Sequence, residues 1–206
     1  LISHVKNSIL AAYINKSKLT EDVLSMPGMS GSKTRHLYNN MCSLPGARYL
    51  EIGTFKGSSF VSAMFGNDGC TGFCVDNWSE FGGRDDFFRN AERYVPNASM
   101  IVHDKDCWSI SKKDVPVPIN VFLYDGAHNY EDQKRAITYF KQFFDKRVVI
   151  MVDDWACDWV HVKRGTMDGI KEAGLKVLYS HEIGLVNTES YHSPGNTFWN
   201  GVGIFV

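Results

Sequence analysis

Apolar positions recur along the chain with two different periods, and the alternation between them predicts an α/β fold. Val5, Ile9, Leu10, Tyr13 and Ile14 are spaced for one face of a helix over Ser3–Asn15. A second helical stretch, Lys33–Cys42, follows the small-residue linker Met26–Ser32, in which Ser32 is a candidate N-cap. That linker reads equally well as a flap near a ligand site or as a plain connector. Short β-rich runs then take over at Arg48–Ile52, Thr71–Val75, Met100–His103, Asn120–Tyr124 and Arg147–Val152. Between them lie helical stretches at Ser58–Phe65, Asp85–Val95 and Glu131–Phe144. Phe87, Phe88, Ala91 and Tyr94 are expected to face the core from one of these, and Ala136, Ile137, Phe140 and Phe144 from another. The unbroken apolar run ending at Val152 suits a strand covered on both faces. A helix over Val160–Ala173 stops at Gly174, and strands at Leu175–Tyr179 and Gly201–Val206 flank the polar loop Gly184–Asn200. The order predicts a doubly wound, mainly parallel seven-stranded sheet with helices on both faces. One domain is expected over 1–206, with the N-terminal helices of 1–45 as an appended cap.

Composition narrows what such a fold could bind. Lys and Arg number 22 against 23 Asp and Glu, a net charge of −1, which gives no broad basic face for nucleic acid or an anionic membrane. No apolar run approaches a membrane span and none reads as a signal peptide, although a chain starting at Leu1 leaves a removed leader open. Five scattered cysteines, with no Cys-x-x-Cys pair, are neither a disulfide framework nor a zinc site. Reduced thiols and a cytoplasmic protein are the expectation. A homo-oligomer is neither required nor excluded.

The most informative stretch is Tyr49-Leu50-Glu51-Ile52-Gly53-Thr54-Phe55-Lys56-Gly57-Ser58-Ser59. A strand ends in an acid, turns on glycine and leads into a helix, the order that builds nucleotide-type cofactor sites. Gly53 permits a sharp turn and close backbone approach, and Gly57 lets the helix pack near the strand. The spacing is not the G-x-G-x-x-G of dinucleotide folds. Glu51-x-Gly53-x-x-x-Gly57 resembles instead the first motif of the class I S-adenosylmethionine (SAM)-dependent methyltransferases. Asp76 ends the next strand, where an acid in such folds accepts hydrogen bonds from ribose hydroxyls. The residues assigned to the cofactor are Glu51, Gly53, Thr54, Gly57, Ser58, Asp76, Asn77, Trp78, Asp106 and Asp125. Asp106, ahead of Asp104, is the candidate for the adenine amino group, with an exposed turn as the competing reading. Trp78 and Phe81 fit packing better than stacking on a ligand.

Asp125, Asp153 and Asp154 all follow apolar strands, and in open α/β sheets ligands bind beyond those ends. Acids gathered there must protonate, separate or share a cation. With oxygen donors and no cysteine pair the expected cation is Mg²⁺ rather than zinc. Helix N-capping accounts for one such Asp, but poorly for three. His128 stands three residues after Asp125 at the lip of the same cleft. His161, His103 and His192 read more easily as surface residues.

Asp125-Gly126-x-His128-x-Tyr130 followed by Asp153-Asp154-Trp155 resembles the metal-dependent branch of the class I small-molecule O-methyltransferases. The macrolide-sugar enzymes are the nearest comparison, and the resemblance runs from about Arg48 to Trp155. It implies that Asp125, Asp153 and Asp154 hold Mg²⁺, that the metal binds two oxygens of a small hydroxylated substrate, and that His128 removes the hydroxyl proton. Asp125 and His128 are thereby the catalytic pair. Two other readings compete. Tyr130-Glu131-Asp132-Gln133-Lys134 matches the Tyr-x-x-x-Lys of nicotinamide-dependent short-chain dehydrogenases, and the fold could also serve as a non-catalytic cofactor-binding module.

Overall fold

The computed structural model describes residues 1–156, 161–184 and 195–206. Three helices come first: α1 (Ile2–Tyr13), α2 (Glu21–Leu24) and α3 (Ser32–Cys42). The chain then alternates through β1 (Arg48–Ile52), α4 (Ser58–Met64), β2 (Thr71–Asp76), α5 (Arg84–Tyr94) and β3 (Ser99–Asp104). It continues through β4 (Ile119–Tyr124), α6 (Tyr130–Phe140), β5 (Phe144–Val152), α7 (His161–Glu172), β6 (Ser180–Ile183) and β7 (Val202–Phe205). The seven strands lie in the order β3-β2-β1-β4-β5-β7-β6. β1 to β5 pair in parallel, while β7 runs antiparallel to both β5 and β6. The strand order reverses between β1 and β4, and a crevice opens beyond their carboxyl ends at such a switch point.

Each face of the sheet carries its own core. Phe60, Val61 and Phe87 pack over one face with Leu37, Tyr38 and Met41 of α3 and Val5, Ile9 and Ala12 of α1. Ala136, Ile137, Phe140, Val162 and Ile170 cover the other. The N-terminal helices therefore share a core with the sheet. Gly165 and Gly169 let α7 lie against α6, because an added Cβ would come within 2.6 Å of the Tyr130 carbonyl and 2.7 Å of the Lys134 carbonyl. Asn129 starts α6 by accepting the Asp132 amide at 3.0 Å, helped by Glu131 and Asp132 in the first turn.

Several expected boundaries move, each for a local reason. The helix expected to run to Phe144 ends at Phe140, and a 3₁₀ turn over Lys141–Phe143 releases Phe144 as the first residue of β5. The last edge strand is Ser180–Ile183, not Leu175–Tyr179. The Lys176–Leu178 stretch is exposed, whereas Ser180–Ile183 finds antiparallel partners along β7. Phe88 is 38% exposed beneath the Arg84 guanidinium, and Phe87 takes the core position. Gly31, not Ser32, caps α3, and the Ser32 hydroxyl donates to Asn196 Oδ1 at 2.9 Å. Cys157, Val160 and the expected loop residues Thr188, Glu189, Tyr191, His192, Ser193 and Pro194 lie outside the described residues.

The linker before α3 is held from within. Arg35 is 3% exposed, and among the described residues no carboxylate pairs with it. Its guanidinium donates instead to the carbonyls of Met26 (2.8 Å), Leu24 (3.1 Å) and Ser30 (3.1 Å) and to Ser30 Oγ (3.0 Å). Burial lowers its pKa to about 10, so it stays charged at neutral pH. The Ser30 hydroxyl then meets that of Ser58, the first residue of α4, at 2.8 Å. The α3 end of the linker is fixed to the far end of the chain, with the Ser32 and Lys33 amides donating to the carbonyls of Gly195 (2.9 Å) and Thr197 (3.1 Å). Arg35→Ala should strand these carbonyls and destabilise the protein by about 3 kcal/mol, since each buried acceptor left unpaired costs about 1–3 kcal/mol. Urea unfolding measures this, and a loss below about 0.5 kcal/mol would show that the linker holds its shape without the clamp.

Candidate active site

The crevice is built from the tips of β1, β2, β4 and β5. Gly53 turns the chain at φ +83°, and a Cβ there would sit 2.0 Å from the Asp125 carbonyl oxygen. Only glycine lets the turn after β1 lie this close to the turn after β4. Gly57, at φ +85°, caps α4, and Phe87 closes over it. Asp76 ties the β2 tip to the same turn. Its Oδ2 accepts the Thr54 and Phe55 amides at 2.7 and 2.8 Å, and its Oδ1 accepts the Trp78 amide at 2.7 Å. The Trp78 indole completes the link by donating to the Phe55 carbonyl at 2.7 Å. Phe55, Trp78, Asp154 and Trp199 all have positive φ, from +47° to +56°. Left-handed backbone at non-glycine residues is costly, and its concentration around the strand ends marks a region shaped for something other than stability.

Asp125, His128 and Asp154 converge at the β4 and β5 tips, each offering a ligand atom within 4.8 Å of the others. The His128 Nε2 is in close ionic contact with Asp154 Oδ2, while Asn200, just before β7, donates to Asp154 Oδ1 at 2.5 Å. Asp153 stands behind this group. Its amide donates to the Tyr124 carbonyl at 3.1 Å, and its Oδ1 accepts the Asp154 amide at 3.0 Å. Desolvation, reinforced by the Asp153 and Asp154 charges, raises the Asp125 pKa well above the usual carboxylate range. Desolvation and then Asp154 raise that of Asp153. Burial pulls His128 down, but the Asp154 hydrogen bond and the charges of Asp154, Asp153 and Glu80 outweigh it and leave its pKa raised.

The other expected site residues are distributed more widely. Glu51 lies under the turn, fully buried, accepting hydrogen bonds from the Tyr49 hydroxyl and, at 2.6 Å, from Ser59. Desolvation raises its pKa to about 8, so it is largely protonated at neutral pH. Thr54 and Ser58 line the turn and are buried, Ser58 against Ser30. Asn77 is exposed and shapes its loop by accepting the Ser79 amide and hydroxyl at 3.1 and 2.8 Å. Trp78 is buried against Phe87, in keeping with packing. Asp106 is exposed and caps the 3₁₀ turn Cys107–Ser109 by accepting the Trp108 amide at 2.9 Å. Tyr130 and Lys134 bind Asp168 (2.8 Å) and Glu172 (2.6 Å) of α7, so the Tyr-x-x-x-Lys match joins two helices. Asn200 escaped the sequence reading. It stood in a polar loop with no motif, and only the return of β7 beside β5 brings it to Asp154.

A family model described as a methyltransferase domain matches residues 50–155, the stretch that carries the glycine turn and all the strand-tip acids. Among curated proteins, none matches the chain. Solved structures share the fold. Cofactor-bound Rv0187 from MTB is 17% identical with a TM-score of 0.59, over 98% of this chain and 88% of that one. An O-methyltransferase from Bacillus cereus in complex with SAH is 16% identical with a TM-score of 0.59, over 99% and 90%. A precorrin-6y C5,15-methyltransferase from Geobacter metallireducens GS-15 is 12% identical with a TM-score of 0.59, over 91% and 95%. Such distant likeness establishes architecture and leaves the acceptor atom open.

The His128–Asp154 pair makes a titration prediction. In metal-free protein followed by NMR, the His128 midpoint should lie above the ordinary 6.5. Asp154→Asn should carry it below 6.5, because the counter-charge goes while burial remains. A raised histidine pKa stabilises the fold fully below the unfolded value, and that contribution is lost as pH rises through the folded midpoint. The wild-type protein should therefore lose, across that window, stability that Asp154→Asn never had. Equal midpoints in the two proteins would contradict the pairing.

Proposed function

The chain belongs to the methyltransferase-domain family, and from that premise we propose that it moves the methyl group of SAM to a hydroxyl oxygen of a small molecule with the help of Mg²⁺. The convergence of Asp125, His128 and Asp154 beside the Gly53 turn carries this reading. The acceptor oxygen attacks the methyl carbon in line, an O–C bond forming as the C–S bond breaks with its electron pair leaving on sulfur, and the hydroxyl proton is taken up by the protein. His128 is the group placed to receive that proton. Asp154 holds its imidazole and favours the protonated ring, and Asn200 fixes Asp154 in turn. The Gly53 turn and the strap of Asp76 and Trp78 shape the cofactor's end of the crevice, so alignment of donor and acceptor is set by rigid backbone.

The donor set suits a hard divalent cation. Two carboxylates and an imidazole approach one another, with like charges that a cation would relieve. Asp125 and Asp154 would hold it, with His128 at its edge and Asp153 behind. When bound, it supplies Lewis acidity towards the acceptor oxygen. The close His128–Asp154 contact favours a second reading, in which the pair acts as a general base without metal. Near-neutral charge favours a small acceptor over nucleic acid.

SAM and its product S-adenosylhomocysteine (SAH) should bind with Kd of about 1 μM or tighter, about −8 kcal/mol by calorimetry, and NAD should not. Binding of NAD in place of SAM would remove the proposal. A panel of catechols, sugars and other hydroxylated acceptors, assayed by mass spectrometry, should show transfer. With an acceptor in hand, His128→Ala should lower kcat by about 10²–10⁴-fold while SAH affinity holds. Excess EDTA should abolish turnover and Mg²⁺ restore it. Full activity in EDTA would leave the metal-free pair as the mechanism.

A further inference from the structure

We propose that Tyr38 of α3 is a cofactor-binding residue, its hydroxyl forming with Asp153 a socket for the ammonium group of SAM and SAH. The proposal deepens the methyltransferase reading above and rests on it. Tyr38 is fully buried, and among the described residues its hydroxyl forms no well-aligned hydrogen bond, although it lies against the Asp153 carboxylate. A buried hydroxyl left in this state is costly, so native structures rarely keep one without a use. The Thr34 hydroxyl, one turn earlier on the same face of α3, is buried and has no hydrogen-bond partner among the described residues. The acids facing Tyr38 are Asp153, Asp125 and Glu51. Asp153 is 5% exposed, and one of its oxygens is already taken by the Asp154 amide.

The chemistry of this place selects the ligand group. Glu51 has two internal donors and Asp154 has His128 and Asn200, whereas Asp125 and Asp153 crowd one another. What is missing is a compact cation with several N–H donors, able to give one to a phenolic oxygen and another to a carboxylate. In SAM only the ammonium of the methionyl end answers that description. The sulfonium has no hydrogen to donate, the methionyl carboxylate would be repelled, and the adenosine belongs towards the β2 tip. The Tyr38 hydroxyl would in turn donate to the Asp153 carboxylate, which completes its own hydrogen bonding. The helix before β1 would thus recognise the cofactor directly.

The test is calorimetry on wild-type protein and Tyr38→Phe, with SAH and with its analogue lacking the amino group. Tyr38→Phe should bind SAH about tenfold more weakly, as expected on losing a hydrogen bond to a charged group. The desamino analogue should bind both proteins equally. Because the hydroxyl makes no well-aligned hydrogen bond in the free protein, the variant's thermal midpoint should stay close to the wild-type value. Equal SAH affinity in the two proteins would overturn the proposal while leaving the methyltransferase reading standing. Equal weakening of both ligands, a lowered midpoint, or a loss of Mn²⁺ affinity in place of SAH affinity would each assign Tyr38 to scaffold or metal and overturn it as well. Failure of the wild-type protein to bind SAH at all would remove the underlying reading itself.

Discussion

Four carboxyl groups, those of Glu51, Asp125, Asp153 and Asp154, are confined at or under the tips of three adjacent strands, and their mutual repulsion shapes everything around them. Each is managed differently. Glu51 sinks into the core, where burial raises its pKa against the opposing pull of the Ser59 and Tyr49 hydroxyl donors. Asp154 takes His128 on one oxygen and Asn200 on the other. Asp125 and Asp153 have pKa values pushed up first by burial and then by a neighbouring acid, Asp153 for Asp125 and Asp154 for Asp153. A folded protein keeps such an arrangement where a cation or a proton transfer is to be accommodated, because scaffold alone would be steadier with apolar residues.

The surrounding backbone is organised to hold that cluster still. Asp76 and Trp78 lace the β1 and β2 loops together, and the Gly53 turn presses against the carbonyl of Asp125. From the other side Arg35 fixes the linker that reaches Ser58, and the start of α3 is bonded to Gly195 and Thr197. Asn200 follows a few residues later and touches Asp154. Segments from both ends of the chain thus meet at one site, which couples the integrity of the fold to the geometry of the acids.

Much of this was legible in the sequence. β1, β2, β4 and β5 were readable because buried parallel strands are short apolar runs ended by glycine or acid, and Arg48–Ile52 has the expected bounds. The strand-tip acids followed from position alone. The edge strand was not readable, since Ser180–Ile183 has a single buried residue and gains its identity from pairing with β7. The uses of Asn200, Arg35 and Tyr38 were equally hidden, because each depends on contacts between segments far apart in sequence. The Tyr-x-x-x-Lys match shows the opposite failure, a motif whose side chains turn out to join two helices.

On the proposed function, the crevice between the β1 and β2 tips takes the cofactor while the neighbouring acids take the cation. A crystal grown with SAH and Mn²⁺, read by anomalous scattering at the manganese edge, tests both at once. Adenosine is expected beside Asp76, the homocysteine end near Asp125, and an anomalous peak within about 2.5 Å of carboxylate oxygens of Asp125 and Asp154. SAH bound elsewhere, or in place with manganese absent from those acids, would contradict it.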